Sequence, residues 1–269
     1  MPRYVDAHSH LHDIRFGVRR DEALAACERI GVVANVVNGT SCHDWSAVTD
    51  LADRFKWIIP SYGVHPWYVN SIQEGWLEKL KGCLLARPSA VGEIGIDHWK
   101  EGIDREIQES VFIRQLKLAS ELNRPASIHG LKAWGRLLEL LRAHGVPKAG
   151  FLLHSYSGPS ELVAPFAELG AFFSCAPAFF APSRVKKLEV FRKVPIDRIL
   201  PETDAPDQRL PEAPGVVELR GPDGQLLNHP TSISDVYRGF AALLHLDDAL
   251  LSETLERNFF TLFGATVQR

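Results

Sequence analysis

Eight short apolar runs, most of them separated by helical patterns, constrain this chain more than any other feature. In order they are YVDAHSH (4–10), VVANVVNG (32–39), WIIPSYGVH (57–65), AVGEIGID (90–97), PASIHG (125–130), AGFLLHSYSG (149–158), GAFFSCAP (170–177) and RILPETDAP (198–206). Near-continuous hydrophobicity that ends in Gly or a polar residue marks parallel strands buried on both faces. The first to the last run are spaced on average about 28 residues apart, close to one strand-plus-helix unit. Between them, residues 104–122 read as a helix with Ile107, Val111, Leu118 and Leu122 on one stripe. Residues 131–144 read as another, stopped by Gly145. A further helix starts at Ser160 and Glu161, and residues 183–194 read as a basic amphipathic one. Two helices, 232–244 and 247–263, finish the chain. Strict alternation over eight units predicts a closed (β/α)8 barrel of the TIM type, a single domain over 1–269 with C-terminal helices. The rival is an open doubly wound sheet, but neither GxGxxG nor GxxxxGK[ST] is present to support its nucleotide-binding forms.

The polar residues of these runs collect at one end. His8 and His10 close the first run, His65 the third, and Glu93 lies within the fourth; His129, His154 and Asp204 end the fifth, sixth and eighth. In an extended chain, residues i and i+2 share a face, so His8 and His10 project together. Taken singly, His129 is an ordinary satisfied core histidine and Asp204 an ordinary turn former. Together they sit where a barrel gathers its catalytic groups, at the C-terminal ends of the strands. Four imidazoles and two carboxylates exceed what one tetrahedral zinc takes. With one carboxylate shared, they suit two divalent ions about 3.5–4 Å apart, which can bring the pKa of a bridging water near neutrality. Asp204, the acid at the end of the last strand, is best placed to accept that water's proton. Mixed imidazole and carboxylate donors admit Zn, Mn, Fe or Mg, and the imidazoles lean away from Mg alone.

Charge sets limits on partners. Lys plus Arg number 30 against 33 Asp plus Glu, which argues against holding nucleic acid by bulk positive charge. Four scattered cysteines form no CxxC pair and suggest neither a zinc ribbon nor a disulfide framework. No signal-peptide pattern opens the chain, and no apolar run is long enough to span a membrane, so a soluble cytoplasmic protein is expected. Nothing points to an obligate protein partner, and a monomer is expected.

The motifs DAHSHL, GVHP, VGEIGID, IHG, LHSYSG and ETDAP, in that order, with NFFTLFG near the end, resemble the signature series of the TatD family of metal-dependent deoxyribonucleases, amidohydrolase-like TIM barrels. The resemblance runs from Asp6 to Gly264. It implies that His8 and His10 bind one metal with Asp204, and that Glu93 bridges to a second metal held by His129 and His154. It also implies that His65 stands beside the site, contacting the scissile phosphate or positioning water. DNA is the implied substrate. In two places the sequence departs from the family pattern. His129 is followed by Gly130, Leu131 and Lys132 where a small residue and Arg are usual, leaving Lys132 as a point-charge substitute for a guanidinium fork. The sixth run reads His-Ser-Tyr in place of His-Cys-Phe.

Other polar residues near these motifs have weaker claims. His12 is a candidate substrate contact, and His98 and Trp99 are candidates to line the pocket and stack on a base. Glu202 shares the strand face of Asp204 and reads as an orienting residue. Residues 206–230, rich in Pro and Gly, read as a rim loop containing Asn228, His229 and Pro230. Ser157 lies in no GxSxG elbow, so a serine nucleophile is not supported. Two functions compete: a two-metal phosphodiesterase on single-stranded DNA, and a small-molecule amidohydrolase or lactonase using the same ions to polarise a carbonyl.

Overall fold

In the computed structural model, which describes residues 3–210 and 217–267, all eight apolar runs form strands. They are β1 (Tyr4–Ser9), β2 (Val32–Asn38), β3 (Ile58–Tyr62), β4 (Ala90–Asp97), β5 (Ala126–Leu131), β6 (Phe151–Leu153), β7 (Ala171–Cys175) and β8 (Ile199–Pro201). They pair in parallel in sequence order. The ring is completed just beyond β8, where Asp204 N–H donates to the His8 carbonyl (2.9 Å) and His10 N–H to the Ala205 carbonyl (2.7 Å). The architecture is a TIM-type barrel, and these closing bonds hold Asp204 beside the paired histidines.

Helices α1 (Arg20–Ile30), α2 (Trp45–Arg54), α3 (Trp76–Ala86), α4 (Arg105–Glu121), α5 (Trp134–His144) and α6 (Val163–Glu168) return the chain from each strand to the next as far as β7. Their apolar faces and the outward residues of the strands form one large core. A smaller core fills the barrel itself, with Val5, Ala7, Val36, Ile59, Leu152 and Phe172 at alternate strand positions. Two final helices, numbered below α8 (Ile233–Leu244) and α9 (Asp248–Phe263), follow β8. Phe259, Leu262 and Phe263 of α9 pack into the inner core. Asn258 donates to the Ile199 carbonyl at the start of β8 (2.9 Å), so α9 closes the end of the barrel opposite the histidines.

Several local expectations are corrected. The predicted stripe on α4 holds in part: Val111 and Leu118 are buried, but Ile107 is exposed, and Gln108, Phe112, Gln115, Leu116 and Ala119 complete the buried face. The two glutamines are polar, but they tie strand ends to the helix. Gln115 bonds both the N–H and carbonyl of Val64 (2.7 and 3.1 Å), and Gln108 accepts from Asp97 N–H (3.0 Å). Leu131 belongs to β5, so the following helix starts only at Trp134. It does end at Gly145, whose φ of 81 favours glycine. Residues 183–194 are not one helix: the single α turn, α7 (Val185–Leu188), lies between 3-10 turns Pro182–Arg184 and Glu189–Lys193. Of these residues only Phe191 and Val194 are buried, too narrow an apolar face to impose helical periodicity between Pro182 and Pro195. Of the rim loop, residues 211–216 lie outside the described part; beyond them β9 (Leu219–Arg220) pairs with β10 (Leu226–Leu227). No helix among the described residues is long and apolar enough to cross a membrane.

Candidate metal centre

Two register shifts position the site. On β1 the pairing with β2 shifts between Asp6 and Ser9. Val5 and Ala7 pack inside the barrel, and past the shift His8 also turns inward and stacks on His154 with ring centroids 3.9 Å apart. On β4 the pairing with β5 shifts between Val91 and Ile94, bringing Glu93 to the interior. Nearby, Gly95 (φ 148) lies against the His129 backbone so closely that a Cβ would collide with it. That contact brings β4 and β5, and with them Glu93 and His129, close together.

Glu93 is the centre of the arrangement. Its Oε2 lies 3.2 Å from His10 Nε2 and 3.4 Å from His8 Nε2. Its Oε1 lies 2.8 Å from His154 Nε2, 3.0 Å from His129 Nδ1 and 3.3 Å from His65 Nε2. Asp204 Oδ1 approaches the first set, 3.5 Å from His10 Nε2 and 3.7 Å from His8 Nε2. Each oxygen of one buried carboxylate thus faces its own group of imidazoles. All seven residues singled out from the sequence come together, and none lies elsewhere.

The far side of each ring decides what the near side offers. His10 Nδ1 is 2.7 Å from the Asn38 carbonyl, which only accepts, so Nδ1 carries the proton and Nε2 presents a lone pair. His129 Nε2 is 3.0 Å from Asp97 Oδ2, so its Nδ1 lone pair faces Glu93. His65 is the reverse. Its Nδ1 accepts from Trp67 N–H (3.1 Å), leaving Nε2–H to donate toward Glu93. His8 Nδ1 is 2.8 Å from Ser127 Oγ, a partner compatible with either tautomer. Lone pairs on His10 and His129 aimed at carboxylate oxygens repel unless a cation or proton lies between them. This donor set, four nitrogens and two carboxylates around Glu93, fits divalent cations.

The ionisation of the site responds to the same crowding. Burial alone would raise the Glu93 carboxyl, but the facing imidazoles of His65, His154 and His8 pull it well below the ordinary carboxylate range. Burial would lower His10, yet its bonds to Asp204 and Glu93 raise it well above the usual histidine value. His129 rises in the same way, against burial, through Asp97 and Glu93. His65 is pushed down to about 4 by burial, so it stays neutral and keeps its donor.

Sequence reasoning missed several residues that build the site. Asp97 ends the quoted run GEIGID, but its partners come from elsewhere: Oδ2 accepts from His129 and from Trp67 Nε1 (2.6 Å). Asp6 accepts from His8 N–H (3.2 Å), Asn35 Nδ2 (2.9 Å) and Thr203 Oγ1 (2.6 Å), joining β1, β2 and the segment after β8 behind His8. Burial raises its carboxyl to about 7. Glu202, by contrast, reads from the sequence as an orienting residue; it accepts from Ser155 N–H and Ser174 Oγ (2.9 and 2.5 Å) and stands 3.7 Å from His154 Nδ1. Above the cluster opens a cavity of about 1290 Å³, whose wall includes His12, Trp99 and Ser157. His12 faces Asp44 (3.4 Å) there. His98 is absent from the wall, as are Asn228 and His229, which brace the turn before α8 through Thr203 and Thr231.

A family model described as TatD related DNase matches residues 5–264. The chain belongs to the TatD family. It is 28% identical over 265 residues to the metal-dependent hydrolase YjjV of Escherichia coli K12, covering 97% of this chain and 98% of that one. The crystal structure of YjjV matches at a TM-score of 0.88 and 27% identity, again covering 97% and 98%. The 3'-5' ssDNA/RNA exonuclease TatD of Escherichia coli K12 is 28% identical over 258 residues, with 95% and 96% covered. The organophosphorus hydrolase of Deinococcus radiodurans shares the fold alone, at a TM-score of 0.64 and 13% identity over 97% and 92% of the chains. This TatD-family chain is accordingly a metal-dependent hydrolase. Its Lys132 is exposed and absent from the cavity wall, whose cations are Arg15, Arg20, Arg184 and Lys187.

Proposed function

We propose that this chain is a two-metal phosphodiesterase that cleaves single-stranded DNA. The carrying observation is Glu93, with one oxygen toward His8 and His10 and the other toward His129 and His154. That arrangement suits a carboxylate bridging two ions, His8, His10 and Asp204 serving one and His129 and His154 the other. Such ions, when bound, polarise a phosphoryl oxygen and activate water at neutral pH. The other steps belong to the protein. Asp204, at the edge of the cluster, takes the proton of the attacking water. His65 remains neutral and offers Nε2–H to a non-bridging phosphate oxygen. Asp97 fixes the tautomer of His129, and Asn38 that of His10. The nuclease names of the family model and of the exonuclease relative support the choice of a phosphodiester. The imidazole-rich donors favour Zn, Mn or Fe over Mg. A reducing cytoplasm suits the four unpaired cysteines.

The test is protein reconstituted separately with each metal and assayed in parallel on labelled single-stranded DNA, amides, lactones and small phosphodiesters. DNA cleavage that depends on metal and is lost in Glu93→Gln is expected. Robust lactone or amide turnover with DNA untouched would overturn the phosphodiester reading in favour of the carbonyl one.

A further inference from the structure

One wall of the cavity is aromatic, and nothing in the catalytic arrangement requires it. Trp67 follows β3, and Trp99 follows β4; both line the cavity, with Tyr68 beside them. Trp99 is 53% exposed and Tyr68 43%. A large apolar face left in water beside a charged centre has no packing reason to be there.

The wall is nonetheless held firmly. Asp97 Oδ2 accepts from Trp67 Nε1 (2.6 Å), and Asp97 Oδ1 accepts from the backbone N–H groups of Trp99 (2.7 Å) and Lys100 (3.0 Å). The two indoles lie 6.3 Å apart at 35°, and Lys100 Nζ sits 4.7 Å from the Trp67 ring centre. Trp67 is therefore fixed beneath, and Trp99 presents its ring outward from an anchored backbone. The same carboxylate oxygen that holds Trp67 also holds His129. Strand order places the loops after β3 and β4 across the ring from those after β7 and β8. Arg184 and Lys187, on that far side, make no ion pair among the described residues. A phosphate chain with flat, uncharged side groups matches the two walls: an indole for the groups, cations for the chain.

We propose that Trp99, braced by Trp67, is the stacking platform for a nucleobase of the strand being cut. The proposal rests on the phosphodiesterase reading and specifies where its substrate lies. Stacking depends on the base and not on the sugar-phosphate, which gives it a clean test. Decathymidylate and an abasic ten-unit sugar-phosphate oligomer carry the same backbone charge and differ only in bases. Their affinities would be measured on metal-loaded Asp204→Asn protein, alone and combined with Trp99→Ala or Trp99→Phe. The expected result is tighter binding of decathymidylate, with Trp99→Ala removing about 5- to 150-fold of that advantage, the range of one base–aromatic stack. Abasic binding should not change, and Trp99→Phe should keep most of the preference. An unchanged preference in Trp99→Ala would overturn the platform alone, as would an equal loss on both oligomers. Failure of the parent protein to bind either oligomer would overturn the phosphodiesterase reading itself.

Discussion

Asp204 adopts left-handed backbone (φ 52), a conformation that Asp tolerates better than most side chains. The segment is held by Asp204 N–H bonded to the His8 carbonyl, a bond that a side-chain change does not remove. Asp204→Asn therefore keeps shape and one oxygen but loses the charge and basicity of a proton acceptor. Turnover on DNA should fall about 100-fold or more at matched metal content, with the thermal midpoint little changed. Turnover within a few-fold of the parent would move the base elsewhere. Asp97 acts differently, since it reaches the centre only through His129. With its amide oxygen in the Oδ2 position, Asp97→Asn still accepts from His129 and Trp67 but removes the negative charge that makes the imidazole a stronger donor. Metal affinity, measured by competition with a chromophoric chelator, should weaken by about 10- to 100-fold. The titration would show no change if Asp97 only braced Trp67.

The elements were legible where burial decides them. Strands β1 to β8 are buried on both faces, so their apolar runs stand out, and a charged residue at a run's end stands out further. That contrast made His8, Glu93, His154 and Asp204 readable as one cluster. It could not reveal Asp97 or Asp6, whose partners Trp67 and Thr203 lie 30 and 197 residues away in sequence. Nor could it reveal Gln108 and Gln115, because a polar side chain in a core face contradicts the pattern used to find that face. The stretch 183–194 failed for the opposite reason: its periodicity was present without enough burial to enforce it. The expected helix over 104–122 nearly coincides with α4, whose first turn is capped locally. Asp104 accepts from Glu106 N–H (2.9 Å) and Ile107 N–H (3.0 Å). Asp104→Ala should lower stability by about 1 kcal/mol, the usual worth of such a cap. The urea midpoint should fall with its slope unchanged, and activity at 25 °C should hold. A large loss of activity would mean that α4 transmits its first turn to the metal centre.

For the whole molecule, charge is nearly balanced, with a net of −3, and the mouth of the barrel repeats that balance. Arg15 enters the cavity wall already bonded to Asp13 and Asp207 (2.7 and 2.6 Å). Arg20 donates to the carbonyls of His12 and Asp13 (2.8 and 2.9 Å). Arg184 donates to Gln208 Oε1 (2.9 Å) but, like Lys187, makes no ion pair among the described residues, and these two are the cations placed to meet phosphates beyond the one being cut. A strand held this way is gripped at few charges, and most of its affinity comes from the metal centre and the aromatic wall. For single strands log K falls by about 0.7 per neutralised phosphate, so two or three contacts give a slope of about −1.4 to −2.1 against log salt. Binding of decathymidylate to metal-loaded Asp204→Asn protein across a salt series should show that gentle slope. Lys187→Ala should reduce it by about 0.7 while leaving the preference for bases intact. A slope implying six or more contacts would mean that the strand leaves the barrel mouth and runs over a surface whose cations the cavity wall does not include.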